Sequence, residues 1–398
     1  MRHRVCCRCA LEFALLHLLA RARGVPSIAH LLQDAAAPCV AVQSHVRING
    51  LVTRGESHAL ERAADALMRQ APSSGIGGIG GGGGGADGGD GQGGEPGGGG
   101  LRAARTWKLK VGGSDPTAEG ARVGRLVRGC AALGVRLRLD ANQAWAPEAA
   151  AAFCAALRAE AAAAGDGAPP PWPSLAPIDF CEEPLRAPCA GALQALHEAY
   201  SLPYALDESV LPAADALMSA PPDPSPADPS SEPSPADPPT EPSPGPSPPE
   251  PLPHGSQGGE ARPPASAPVE DLRARLRAAG CAGLVVKPTL VGGVEASAAL
   301  AAEAAAHGVD VIFTSAFESG VAHAHIALAA AALSGPSVAH GLSTYERLAV
   351  DVSTPPFRDT VTGDLVALVR AQAALDATAD SLAACEQGSA RKSRRTVR

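Results

Sequence analysis

Five short β-type runs in this chain end on a charged residue, and the charges come in the order lysine, acid, acid, acid, lysine. The runs are Thr106-Trp107-Lys108-Leu109-Lys110, Leu137-Arg138-Leu139-Asp140, Ile178-Asp179-Phe180-Cys181-Glu182, Tyr204-Ala205-Leu206-Asp207 and Gly283-Leu284-Val285-Val286-Lys287. Residues two apart on a strand share a face, so Lys108 and Lys110 point the same way. Helix-compatible segments separate the runs, and strands joined by crossover helices are parallel. Their C-terminal ends therefore lie along one edge. Any fold for this chain must gather those acids and lysines at one rim.

Extending the reading gives eight strands and seven helices. Val46–Val52 is the first strand, followed by a helix over 56–70. Then come the Lys108/Lys110 strand, a helix over 117–133, and a strand ending at Asp140. A helix opens at Pro147, where a first-turn proline is tolerated. The Glu182 strand precedes a helix over 190–200. The Asp207 strand precedes a helix beginning near Ala213 and resuming over 269–279. The Lys287 strand, a helix over 294–307, a strand over 309–314, a helix over 321–333 and Val338-Ala339-His340-Gly341 complete the series. This alternation predicts a (β/α)7β TIM-like barrel with its chemistry at the strand C-terminal ends. A doubly wound sheet would need a phosphate-binding glycine motif after the first strand. The glycines at 77–85 follow a helix instead.

Two stretches stand outside this plan. Gly75 to Gly100 is nearly pure glycine, and Pro221 to Pro268 repeats Pro-Ser-Pro-Ala-Asp-Pro-like units. Neither can bury enough apolar surface to offset its conformational entropy. They are read as disordered insertions at 73–101 and 219–268 within a barrel spanning 41–355. Residues 1–40 form a separate helical region. Residues 356–398 form a C-terminal segment ending in a basic tail (Arg391, Lys392, Arg394, Arg395, Arg398).

A net charge of −8 speaks against a nucleic-acid partner. No apolar stretch is long enough to cross a bilayer. The ten cysteines lack paired spacing and read as small core residues in a reducing compartment. Cys6 and Cys9 form one Cys-x-x-Cys without a second pair to complete a zinc site. Leu11, Leu15, Leu18 and Leu19 share one face of a helix over 8–22, and a second helix covers 26–34.

Within a barrel, Lys108, Lys110, Arg138, Asp140 and Asn142 enter the lumen, where charge is costly unless paired. Asp140, Glu182 and Asp207 converge from consecutive strands, and an all-oxygen set suits a hard divalent cation, most simply Mg²⁺. A buried salt-bridge network among the same acids and lysines is the alternative. Lys110 and Lys287 come from the second and sixth strands, on opposite sides of the ring. A substrate carboxylate between them would be placed for removal of the adjacent proton, and the positive field should lower a lysine toward a working base.

These motifs resemble the enolase superfamily, muconate-lactonizing subgroup: the Lys-x-Lys strand, Asp140-Ala141-Asn142, Glu182-Glu183-Pro184, Asp207-Glu208-Ser209 and Lys287-Pro288. The runs Leu137 to Trp145, Thr314-Ser315-Ala316-Phe317-Glu318-Ser319 and His340 to Tyr345 are similar to o-succinylbenzoate synthases. The likeness is greatest to the synthase module of the plant and algal plastid phylloquinone fusion protein. The resemblance implies Lys110 as base, Lys287 as its electrostatic partner, and Asp140, Glu182 and Asp207 as ligands of Mg²⁺, with Mn²⁺ as substitute. It implies dehydration of 2-succinyl-6-hydroxy-2,4-cyclohexadiene-1-carboxylate to 2-succinylbenzoate, in a plastid, beside or fused to other pathway enzymes.

Ser315 and Ser319 are further substrate contacts, to the succinyl group. Lys108 and Arg138 are candidates for substrate binding, and Asn142 for substrate or for orienting ligands. His323 and His325 are expected to be packing residues on a helix. N-acylamino acid racemases and dipeptide epimerases use the same lysine pair, and a non-catalytic barrel module is a third possibility. The family's capping domain begins with an antiparallel sheet. Only its last helices are expected here, in residues 4–36, as in a truncated gene or one piece of a fusion.

Overall fold

A computed structural model describes residues 2–35, 42–52, 106–133, 135–163, 177–219, 267–344, 365–367 and 375–377. Its elements are α1 (Arg2–Arg23), α2 (Ile28–Ala35), β1 (His45–Ile48), β2 (Gly50–Val52), β3 (Thr106–Lys110), α3 (Pro116–Leu133), β4 (Arg136–Asp140), α4 (Pro147–Ala162), β5 (Ile178–Glu182), α5 (Ala190–Tyr200), β6 (Tyr204–Leu206) and a 3-10 turn, Glu208–Val210. They continue with α6 (Leu211–Ser219), α7 (Ala267–Arg277), β7 (Cys281–Val286), α8 (Pro288–Val291), α9 (Val294–Ala306), β8 (Asp310–Phe313), α10 (Gly320–Leu333), β9 (Ala339–His340) and β10 (Leu365–Ala367).

Strands β2 to β8 form one parallel sheet in sequence order. The sheet closes on itself. Thr314 bridges Gly341 at the β8–β9 seam, and β9 pairs in parallel with β1, Arg47 opposite Ala339 and Ile48 opposite His340. The result is the expected barrel. The single strand read over Val46–Val52 is broken at Asn49, because the first strand serves two edges. Its first half meets β9 and the antiparallel β10, and its second half meets β3. Asn49 stitches the break, its N–H donating to the His340 carbonyl at 2.9 Å.

The lumen has its own small apolar layer, Phe180, Ala205, Val285, Ile312 and Val338, separate from the main core between sheet and helices. Two residues further along these strands lie Glu182, Asp207, Lys287, Thr314 and His340, the next layer toward the rim. Register keeps the ends level: Lys110 lies opposite Asp140, and Asp140 opposite Glu182. The chain leaves β3 through Gly112, whose positive φ of +79° and closeness to Ala144 leave no room for a side chain.

The first insertion and the helix read over 56–70 lie outside the described residues, as does the basic tail. The second insertion is narrower than its reading. Ser219 still belongs to α6, and α7 opens at Ala267, with Pro268 in the first turn where its missing N–H costs nothing. Its remainder lies outside the described residues. Helix α1 begins earlier than read and packs through Cys9, Phe13 and Ala20, with the Phe13 ring tilted against His325 at 4.8 Å. The Glu12 carboxylate accepts the Val294 N–H at 2.6 Å, at the N-terminus of α9 where negative charge is favoured. Leu11, Leu15 and Leu18 face outward, more than half exposed. No helix among the described residues is long and apolar enough to cross a membrane.

Candidate active site

On one side of the rim the charges are matched. Lys108 Nζ lies 2.8 Å from Asp140 Oδ2 and 2.7 Å from Glu182 Oε1, and Lys110 Nζ lies 2.5 Å from the same Asp140 oxygen. Burial pushes the Asp140 carboxyl up, but Lys108 and Lys110 together outweigh it and hold the group at about 2. Burial likewise works to lower Lys108, and Glu182, Asp140 and Asp207 reverse it, raising the ammonium. The Lys110 side chain is 34% exposed beside an almost wholly buried Asp140, so the rim opens at Lys110.

Across the lumen the balance is different. Lys287 Nζ contacts Asp207 Oδ2 and lies 3.7 Å from Glu208 Oε1. Burial and the facing Glu182 carboxylate raise the Asp207 carboxyl well above its ordinary value, and Lys287 offsets this only in part. Burial would lower Lys287, but Asp207 and Glu182 raise it. The expectation of a lysine lowered toward the working range is therefore reversed at Lys287 in this arrangement, because the acids outnumber the cations around it.

Two residues join the sides. Asn142 accepts from Lys110 Nζ at 2.7 Å and donates to Glu208 Oε1 at 3.1 Å, while its backbone N–H meets Asp140 Oδ1 at 3.1 Å. Glu183, wholly buried, accepts on Oε1 the N–H of Asp207 at 2.7 Å and of Ser209 at 3.0 Å, plus the Ser209 hydroxyl. Its other oxygen meets Gln143 Nε2 at 3.2 Å. The sequence reading missed Glu183 and Glu208 as site residues. Their signal was present in the doubled acids of Glu182-Glu183-Pro184 and Asp207-Glu208-Ser209.

Three of the proposed substrate contacts, Lys108, Arg138 and Ser315, are engaged within the protein through their side chains. Lys108 is buried between two acids. Arg138 lies one layer below the rim, donating to the Ala339 carbonyl at 2.5 Å and to Asp179 at 3.1 Å, over the Phe180 ring. It fastens the barrel seam. Ser315 donates to the Gly341 carbonyl at 3.1 Å and pairs with Thr344. Ser319 is the N-cap residue of α10, and its hydroxyl makes no capping bond there, its backbone carbonyl alone accepting the His323 N–H. Asn142 is held by Lys110 and Glu208 through its side chain and by Asp140 through its N–H.

The histidines pack. Burial lowers His325 to about 4 and His340 to about 3. His340 Nδ1 accepts the Phe313 N–H at 3.1 Å, filling the gap in the β8–β9 ladder. Cys9, Cys130, Cys154 and Cys181 are core residues as read, whereas Cys6, Cys7 and Cys189 are exposed.

As the side chains stand, they form the buried salt-bridge network, and no three histidine, cysteine or carboxylate groups among the described residues are placed to hold a metal ion. Lys108 occupies the space between Asp140 and Glu182. In donor chemistry the trio nevertheless suits a hard cation. It offers only oxygens from consecutive strand ends, and the Glu182–Asp207 face carries the anionic excess that raises Asp207.

No family model matches the sequence, and no curated protein matches it. Solved structures share the fold. The L-Ala-D/L-Glu epimerase from Bacillus subtilis, in a substrate-liganded complex, is 17% identical with a TM-score of 0.53, over 90% of this chain and 68% of that one. The mandelate racemase/muconate lactonizing protein from Herpetosiphon aurantiacus is 18% identical with a TM-score of 0.52, over 90% and 70%. The dipeptide epimerase from Methylococcus capsulatus, complexed with Mg and the dipeptide L-Arg-D-Lys, is 19% identical with a TM-score of 0.50, over 90% and 69%. The likeness establishes the fold: a parallel α/β barrel.

Proposed function

We propose that this chain removes a proton beside a carboxylate, as an enolase-superfamily enzyme of the muconate-lactonizing subgroup, and that its reaction is the dehydration carried out by o-succinylbenzoate synthases. One observation carries the reading. Lys110 on β3 and Lys287, one residue beyond β7, lie on opposite sides of the ring and contact the same three-acid cluster, Lys110 through Asp140 and Lys287 through Asp207. An anionic substrate seated between them meets a cation on each face.

Lys110, open at the rim and held by Asn142, takes the proton next to the substrate carboxylate in its neutral form. The electron pair of that C–H bond then expels the hydroxyl group, which leaves as water after the Lys110 ammonium returns the proton. The ring becomes aromatic. Lys287 remains charged throughout and opposes the negative charge collecting on the carboxylate. Its raised pKa suits that role better than the role of a base. Asp140, Glu182 and Asp207 would hold Mg²⁺, or Mn²⁺ in its place, once Lys108 turns from between the first two. The bound ion would supply further positive charge beside the substrate carboxylate.

The second reading is an epimerase, supported by the near-symmetric tethering of the two lysines to aspartates and by the fold shared with a dipeptide epimerase that binds Mg. Purified protein with Mg²⁺ should convert the cyclohexadiene substrate to 2-succinylbenzoate and should not exchange the α-protons of dipeptides in D₂O. Exchange without dehydration would reverse the assignment.

A further inference from the structure

Asp207 occupies a position that ordinarily consumes its own side chain. It is the N-cap residue of the 3-10 turn Glu208–Val210, which runs on into α6. An aspartate there normally turns back to accept the N–H two or three residues on. Asp207 makes no such bond. The N–H two residues on, at Ser209, donates instead to Glu183 Oε1 at 3.0 Å, and the same oxygen takes the N–H of Asp207 itself at 2.7 Å.

Glu183 lies on the loop leaving the neighbouring strand, and it reaches this spot at a cost. Its φ is +44°, in the left-handed region that non-glycine residues seldom adopt. It is wholly buried, and Ser209 is further fixed by Arg275, itself buried, which donates to the Ser209 hydroxyl at 2.7 Å and its carbonyl at 3.2 Å. A strained, buried carboxylate that takes three donors from one neighbouring turn is a built device.

We infer that Glu183 is a positioning residue that caps the turn in place of Asp207, leaving the Asp207 carboxylate free to face Lys287, Glu182 and a divalent cation. Without Glu183, the Ser209 N–H would draw Asp207 back and take it from the cluster. The inference rests on the proposed metal site.

The test is Mg²⁺ affinity of the full chain by titration calorimetry, a readout independent of turnover. Glu183→Met keeps the length but removes the acceptor, so Kd should weaken tenfold or more. Glu183→Gln retains an acceptor oxygen, so Kd should stay within threefold of wild type. Glu183→Thr, too short to reach the turn, replaces the Met variant if that one does not fold, and should also lose tenfold. Adding Ser209→Pro to Glu183→Met removes the competing N–H and should recover most of the affinity, which a merely stabilising role for Glu183 would not produce. If the Met or Thr variant binds like wild type, or Gln is as weak as Met, the inference is overturned while the metal site stands. If wild type itself binds no Mg²⁺, the metal reading falls and the inference with it.

Discussion

Asp140 and Asp207 are the same residue type, each at the C-terminal end of a lumen strand, each buried, yet they are driven in opposite directions. Asp140 is held at about 2, and Asp207 is raised well above the ordinary value. Burial raises both, so burial does not decide. The neighbours do. Asp140 has two ammoniums on one oxygen, whereas Asp207 has one ammonium and faces Glu182 and Glu208. One barrel thus carries a neutralised side and an anionic side. Each has its own lysine, so the two lysines need not do the same chemistry.

The largest effects should separate those lysines. Lys110→Ala removes the group that takes and returns the proton, and kcat should fall about 10²–10⁴-fold or below detection. Mg²⁺ binding, followed by its stabilisation of the fold against heat, should persist. Lys287→Arg keeps a cation beside Asp207 but changes its shape, so dehydration should be reduced without being lost. If proton exchange needs both lysines, Lys287→Arg will be as dead as Lys110→Ala, since a guanidinium cannot act as a base near neutral pH. Wild-type turnover by Lys110→Ala would remove the base assignment in either case.

The next effect is on stability. Asp140→Asn strips Lys108 and Lys110 of their shared anion in a buried site and should cost about 3–5 kcal/mol. Asp207→Asn removes a charge that its acidic neighbours already oppose, and Glu208 stays near Lys287. Its cost should be smaller than that of Asp140→Asn, together with loss of any Mg²⁺-dependent rise in melting temperature. Urea unfolding in the presence of a chelator measures both. Equal losses would mean that the two sides do not differ as their geometry implies.

Why the rim was legible and its wiring was not follows from what strands fix. Barrel strands are buried on both faces, so they appear as apolar runs, and a charge closing such a run can only sit at the rim. Period-two alternation then places Glu182 above Phe180, Asp207 above Ala205 and Lys287 above Val285. Alternation says nothing about which oxygen a four-carbon lysine chain will reach. Lys108 and Lys110 share a face and both reach Asp140, yet only Lys108 bridges to Glu182. Glu183 alternates away from the lumen in sequence, and only its positive φ directs it to the Asp207 turn. Arg138 reads as a lumen residue open to substrate, yet its partners are the Ala339 carbonyl, Asn49 and Asp179. On α1 the face shared by Leu11, Leu15 and Leu18 points outward, while Cys9, Phe13, Leu16 and Ala20 do the packing.

Asn142 sharpens the comparison because it touches both sides, Lys110 on one and Glu208 on the other. Asn142→Ala leaves every charge in place but frees Lys110 from its second partner. Hydrogen bonds to charged groups contribute about 1.5–3 kcal/mol, so a loss of about tenfold in kcat is expected, with stability changed far less than in Asp140→Asn. An equal fall in stability would show Asn142 to be a strut of the rim.

The smallest effect is the most direct reading of the opposed aspartates, because it uses only protons. Asp140 is depressed from an ordinary 3.8 to about 2, so between those values the unfolded chain binds more protons than the folded one. Its contribution to stability is full above about 4 and is lost as the pH falls toward about 2. Asp207 is raised above 3.8, so the folded chain is the one that holds the extra proton, and stability declines as the pH rises from about 4 through its folded value. Urea unfolding in chelator across this range gives the difference between wild type and each asparagine variant. The Asp140→Asn difference should grow with pH from about 2 to about 4 and then level. The Asp207→Asn difference should move the other way, starting where the first one levels. Two differences of the same sign and slope would mean that the rim is one averaged field, and that the division into a neutralised side and an anionic side does not exist.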